Sequence, residues 1–156
     1  MKEKPSEQTQ CLSCAIVQGL KQPLGGTILE TEFFHVHQDF AYPLPGMVIL
    51  ASKRHLHCLD ELTGSEAGDY INLLCRIRKA QRDVLGIEHV YYFYNEDTTH
   101  HFHMWMMPRD EWMNEFGRSI ESVRPILTYA KEYMNDQANI AYVKSCIQKL
   151  RSELSK

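Results

Sequence analysis

No stretch of this sequence approaches the roughly 20 consecutive apolar residues that a membrane-spanning helix needs, and the N-terminal MKEKPSEQTQ lacks the apolar core of a secretory leader. Neither export nor membrane insertion is expected. A basic excess is missing too, because 17 Lys and Arg stand against 20 Asp and Glu, a formal charge of -3. Coating a nucleic-acid duplex takes a basic face that neutralises several phosphates, so duplex binding is disfavoured while small anionic ligands remain open. Cysteine is limited to five residues, an odd count, with two of them spaced as Cys11-x-x-Cys14. Reduced thiols holding a metal or acting as a redox pair, in the cytoplasm, fit this better than a disulfide scaffold. Internal repeats and low-complexity segments are also absent.

What is present is 156 residues, 44% hydrophobic and 24% charged, enough for one domain with a real core. Residues 1–10 carry no apolar periodicity and read as a mobile tail. In CLSCAIVQG a short helix or turn should end at Gly19. Alternation of apolar and polar residues around a Glu-rich turn predicts hairpin strands near 27–31 and 33–39, with GMVILAS, 46–52, as a third. Thr63-Gly-Ser-Glu66 is a capping box that opens a helix with Ala67, Tyr70, Ile71, Leu74, Ile77, Val84 and Leu85 at helical spacing, closed by Gly86. The aromatic-rich EHVYYFYNE and HHFHMWMMP then read as two paired antiparallel strands. Five strands and one long helix make an α+β layer domain. Beyond Asp110 two amphipathic helices follow, one capped by Ser122 with Pro125 in its first turn, the other striped by Ile140, Val143, Ile147, Leu150 and Leu154. Asn135-Asp136 is the turn between them.

The chemistry concentrates in THHFHMWMMPR. On a strand, His101, His103, Trp105 and Met107 share one face, while His100, Phe102, Met104 and Met106 share the other and point to the core. Imidazoles two residues apart are separated by roughly 7 Å along a strand, an awkward span for one ion, so His101 and His103 are expected to have different jobs. Hydrogen bonding to neighbours is the ordinary alternative for any single histidine.

The run His101-Phe-His103-Met-Trp105-Met-Met-Pro108-Arg109 resembles the signature of the histidine triad (HIT) family, three histidines alternating with apolar residues before Pro-Arg, with Trp105 in the place of the third histidine. CLSCAIVQG is similar to the opening of the zinc-bearing members, and PGMVILASKRHLHCLDEL to the family's Pro-Gly-His to Lys-Arg-His segment. The three motifs come in family order over residues 11–109, a HIT-like domain, and leave 110–156 as a helical extension packed on it.

The resemblance implies a HIT-like fold and a closed structural zinc site on Cys11, Cys14, His55 and His101, a soft and borderline donor set with no open position. A reduced buried cysteine pair is the alternative, and His57 and Cys58 are substitute ligands. It implies that His103 is the nucleophile at the α-phosphorus of a nucleotide, forming a nucleotidyl-histidine resolved by water or another acceptor, with its other ring nitrogen tied to a backbone carbonyl. Trp105 has one N–H to donate and nothing to accept a proton. By the same resemblance Asp39 binds ribose hydroxyls, and Asn95 and Thr98 meet the phosphate. A solvated loop carboxylate is the alternative for Asp39. The family's Gly-rich loop is replaced by the short EDTT, where Glu96 and Asp97 either repel a phosphate, unless a cation intervenes, or face solvent. Arg109 is either a phosphate contact or a surface residue after a strand-ending proline. A homodimer through the long helix and its adjoining strand is implied as well. Three functions remain in view: a nucleotide hydrolase or nucleotidyl transferase, a nucleotide-binding or sensing module without efficient turnover, and a purely metal-binding constellation that recruits His103.

Overall fold

All of Val48–Ser52 is buried, and so is all of Phe34–His37, a pattern produced by a sheet covered on both faces. The structure, a computed structural model, describes residues 11–98 and 100–156; the tail expected over 1–10 lies outside the described residues. The elements in chain order are α1 (Leu12–Val17), β1 (Thr27–Glu30), β2 (Phe34–His37), β3 (Val48–Ser52), α2 (Gly64–Leu85), β4 (His89–Phe93), β5 (His103–Arg109), α3 (Ile120–Tyr133) and α4 (Gln137–Leu154). Short 3-10 turns at Leu59–Glu61 and Glu111–Phe116 precede α2 and α3. The expected α+β architecture is present: one five-stranded antiparallel sheet in the order β1-β2-β3-β5-β4.

Helix α2 starts where its sequence says it must. Thr63 accepts from the Glu66 N–H and the Glu66 carboxylate accepts from the Thr63 N–H at 2.8 Å, a reciprocal cap, and Gly86 closes the far end at φ 67°. Its inward face is Tyr70, Leu73, Ile77 and Ala80, so Ile71, expected on the apolar stripe, is instead 58% exposed. Glu66 is itself buried and is held bidentately by Arg54, at 3.0 and 2.8 Å. That guanidinium is the main reason its carboxyl falls to about 2.

Helices α2 and α4 cover one face of the sheet, packing Leu73, Ile77, Val143, Ile147 and Leu150 on Phe34, Val36, Val48, Leu50, Phe102 and Met106. Each such side chain contributes about 2 kcal/mol by leaving water. Ile140, expected on the stripe, is only half-buried. Gly25 lets α4 approach, since a Cβ there would lie 2.6 Å from Ile147 and its φ is +73°. Arg151 then ties α4 to the carbonyl oxygens of Thr27 and Gly25.

The opposite face carries Ile49, Met107, Leu44 and Met47 under Ile126 and Ala130 of α3. The two C-terminal helices therefore clamp the sheet from opposite sides. Helix α3 begins earlier than expected: Ser119 is its N-cap, and Ser122 is buried in the first turn, donating to the Ser119 carbonyl at 2.7 Å. Pro125 accordingly stands in the second turn rather than the first. Asp136 caps α4 by accepting from the Asn139 N–H.

Candidate functional site

The sheet register puts side chains of β2, β3 and β5 in rows, because directly paired residues share a face. His35, Ala51 and His103 form one row, and His37, Ile49 and Trp105 the next. His103 and Trp105 thus share a face, as their alternation implies, and that face is the one covered by α3. His101 departs from the strand reading, since β5 begins only at His103 and the buried His101 ring turns away into a cluster of its own. His100 is exposed and not on the core face.

That cluster is Cys11, Cys14, His55 and His101, whose ligand atoms all lie within 4.8 Å of one another. Cys11 caps α1 and Cys14 sits one turn on, so both sulfurs share a helix side. Cys14 Sγ is 3.1 Å from His55 Nδ1 and 3.4 Å from His101 Nδ1, Cys11 Sγ is 3.4 Å from His101 Nδ1, and the two Nδ1 atoms are 3.1 Å apart. A tetrahedral shell with zinc bond lengths has edges of about 3.4–3.8 Å, so these four separations suit such an ion after outward shifts of a few tenths of an ångström, and the remaining two are within 4.8 Å. His101 Nε2 donates to the Ser52 carbonyl at 2.7 Å, which leaves the Nδ1 lone pair aimed at the cluster. Burial first, then the Cys11 sulfur, pushes the Cys14 thiol up to about 11; a divalent cation reverses that balance and holds thiolates. His57 and Cys58 lie outside the cluster.

His103 Nδ1 is 2.7 Å from the backbone oxygen of His101. A carbonyl only accepts, so Nδ1 carries a proton, and in the neutral ring the lone pair is fixed on Nε2. The ring lines a cleft of about 370 Å³ between the sheet face and α3, walled by the aromatic Tyr42, Phe93 and Trp105 and by Asn95, Ile120, Val123, Arg124, Leu127 and Thr128. Trp105 packs between His103 and Tyr42, with centroid distances of 6.4 and 5.8 Å.

Of the other expected residues, Asn95 lines this cleft while its Oδ1 accepts from the Thr98 hydroxyl at 2.6 Å. Thr98 itself is not among the lining residues. Asp39 is folded into its own loop, accepting from the Ala41 and Tyr42 amides at 2.8 Å. Burial nevertheless raises its carboxyl, against those amides and the nearby His103. Glu96 faces the Tyr94 hydroxyl and the Leu59 N–H. Arg109 is a structural tie: it donates to Ser122, Asn114 and the Gly117 carbonyl and lies over the Tyr91 ring, about 20 Å along the strand from His103.

Sequence reasoning missed the α3 wall of the cleft, although Ile120, Val123 and Leu127 at helical spacing were a usable signal. It also missed the buried pair His35 and His37, whose Nδ1 atoms are 3.1 Å apart. Burial, then His35 and His103, lowers His37 to about 3, so this face adds neutral imidazoles and no cation. A larger groove of about 920 Å³ runs along the β4 edge, but its Arg78, Arg82, Arg109 and Arg118 are interspersed with Glu88, Asp110 and Glu111, and of the histidine run it includes Arg109 and none of the histidines.

No protein-family model matches the sequence, and no curated protein does. Solved structures match in shape. A zinc-bound histidine triad family protein from Mycobacterium smegmatis superposes with a TM-score of 0.64 at 20% identity, over 93% of this chain and 98% of that one. A hypothetical histidine triad nucleotide-binding protein from Sulfolobus tokodaii gives 0.66 at 14% identity, over 93% and 94%. A HIT family hydrolase from Legionella pneumophila gives 0.52 at 20% identity, over 65% and 94%. Coverage of 93% takes the likeness past Arg109 into the helical tail. The chain has the fold of the histidine triad proteins.

Proposed function

We propose that the chain is a HIT-like nucleotide hydrolase or nucleotidyl transferase working at the α-phosphorus, with His103 as nucleophile. The observation that carries this is the His103 Nδ1–H donated to the His101 carbonyl, which in the neutral ring puts the lone pair on Nε2, in a cleft walled by three aromatic rings. Nε2 attacks the phosphorus, the bond to the leaving group breaks, and the leaving group departs with that electron pair. Water or another acceptor then attacks the nucleotidyl-histidine, the P–N bond breaks, and the ring regains its lone pair. Tyr42, Phe93 and Trp105 stack the base, and Asn95 donates near the phosphate. Asp39 and Thr98, which lie outside the cleft lining, reach the ribose and the phosphate only if their loops move.

Cys11, Cys14, His55 and His101 hold a structural zinc ion, which supplies four bonds that pin α1 to the sheet and no open position for chemistry. Reduced thiols favour a cytoplasmic setting, consistent with five cysteines that form no disulfide. Among the described residues no helix is long and apolar enough to cross a membrane. Two copies pair across the β4 edge and α2, where Ile71 is 58% and Tyr92 46% exposed and β4 has a neighbour on one side only.

A second reading, a nucleotide-binding module with little turnover, is favoured by Trp105, whose indole cannot take or return a proton. Release of AMP from adenosine phosphoramidate and from diadenosine polyphosphates decides between them. The enzyme reading predicts release by wild type and none by His103→Ala; saturable binding without release supports the module.

A further inference from the structure

Among the described residues that line the His103 cleft, one alone carries a permanent charge, and it comes from α3: Arg124. The family resemblance of the sequence stops at Arg109, so nothing in that resemblance assigns α3 a role.

We infer that Arg124 is the phosphate-binding cation of the cleft, and that with Thr128 it makes α3 the specificity element that selects phosphorylated nucleosides over nucleosides. This rests on the nucleotide reading above and deepens it. Arg124 and Thr128 are four residues apart on one helix, hence on one side of it, and both line the cleft. Arg124 makes no ion pair or hydrogen bond among the described residues, whereas Arg54, Arg76, Arg78, Arg109 and Arg151 are each engaged by a carboxylate, hydroxyl, amide or backbone oxygen. The guanidinium is thus available to a ligand.

The need for it follows from the rest of the cleft. His103 must stay neutral to attack, and Trp105 offers one N–H. Neighbouring His37 is held neutral by burial. A phosphate in this setting meets dipoles and no cation unless Arg124 supplies one. A guanidinium presents paired N–H donors in a fork that matches two phosphate oxygens, and the Thr128 hydroxyl adds a third donor. The aromatic walls bind the base without regard to phosphate, so base affinity and phosphate affinity reside on different elements.

Calorimetric titration of the zinc-loaded full chain with AMP and with adenosine tests this, because AMP as a product of the proposed reaction is not turned over. Wild type should bind AMP at least tenfold more tightly than adenosine, with the advantage falling as salt rises. Arg124→Gln should lose most of that advantage while adenosine binding stays within a factor of two, and Arg124→Lys should retain part of it. Since Arg124 is exposed and unpartnered, the melting temperature should not move. An unchanged AMP-to-adenosine ratio in Arg124→Gln, or no AMP preference in wild type, overturns the inference and leaves the nucleotide reading standing. Wild type that binds neither ligand overturns both.

Discussion

The carbonyl oxygen of His101 accepts from His103 Nδ1 at 2.7 Å while the imidazole of the same His101 stands in the Cys/His cluster. One residue thus joins the proposed metal site to the proposed nucleophile, through its side chain on one side and its backbone on the other. If the cluster sets the position of residue 101, it also sets the tautomer of residue 103.

Removing a cluster ligand should therefore be felt twice. Cys14→Ser is expected to abolish stoichiometric zinc, measured by elemental analysis, and to lower the melting temperature by about 5–15 °C, as a loss of a few kcal/mol does in a chain of this size. AMP release should fall with it. His103→Ala should keep its zinc, and loss of metal in that variant would support the purely metal-binding constellation instead.

Trp105 stands where the sequence resemblance calls for a third histidine. Trp105→His should raise turnover of a nucleotide phosphoramidate by tenfold or more, in the range of acid–base assistance to a leaving group. The smaller ring gives up packing on Tyr42, so the same variant should lose about 1–3 kcal/mol in denaturant unfolding. Unchanged or reduced turnover would mean that the indole is itself part of the working site.

Much of this arrangement was legible beforehand. The capping box at Thr63, the glycine at 86 and the alternating aromatic strands signalled elements through local chemistry, and Cys11, Cys14, His55 and His101 do converge. Errors came where tertiary packing overrides local pattern. A strand covered on both faces shows no polar face, so β5 could not be read as half-solvated. His101 left the strand because its ring is drawn into the cluster. Asp39 and Thr98 were assigned by position, and both are satisfied by their own loops. The α3 wall was missed because a helix packing across a sheet face leaves no mark in the strand it covers, and its own apolar spacing, Ile120, Val123 and Leu127, marks an apolar face without showing what it covers.

The Arg54–Glu66 pair sets a pH dependence with a definite sign. Glu66 is depressed to about 2 from an ordinary 4.5, so its stabilising contribution is complete above pH 4.5 and is lost as pH falls toward 2. Arg54→Gln leaves a buried carboxylate with a weaker partner and should cost about 1–3 kcal/mol at neutral pH. Its melting temperature should fall less steeply than that of wild type between pH 4.5 and 2. Parallel acid profiles would show that the pair carries no such linkage.

Exposed Ile71 on α2 and Tyr92 on the open β4 edge mark the proposed dimer face. Light scattering should give twice the chain mass for wild type and one chain mass for Ile71→Glu with Tyr92→Glu. A monomeric wild type, or a double variant that still pairs, would contradict that interface.

The central claim is that the neutral Nε2 of His103 makes a covalent bond to phosphorus. Intact-protein mass spectrometry after rapid, acid-free quenching with adenosine phosphoramidate tests it most directly. A mass gain of one adenylyl group in wild type, absent in His103→Ala, is the predicted result. Product release with no adduct at any quench time, or an adduct that survives in His103→Ala, would contradict it.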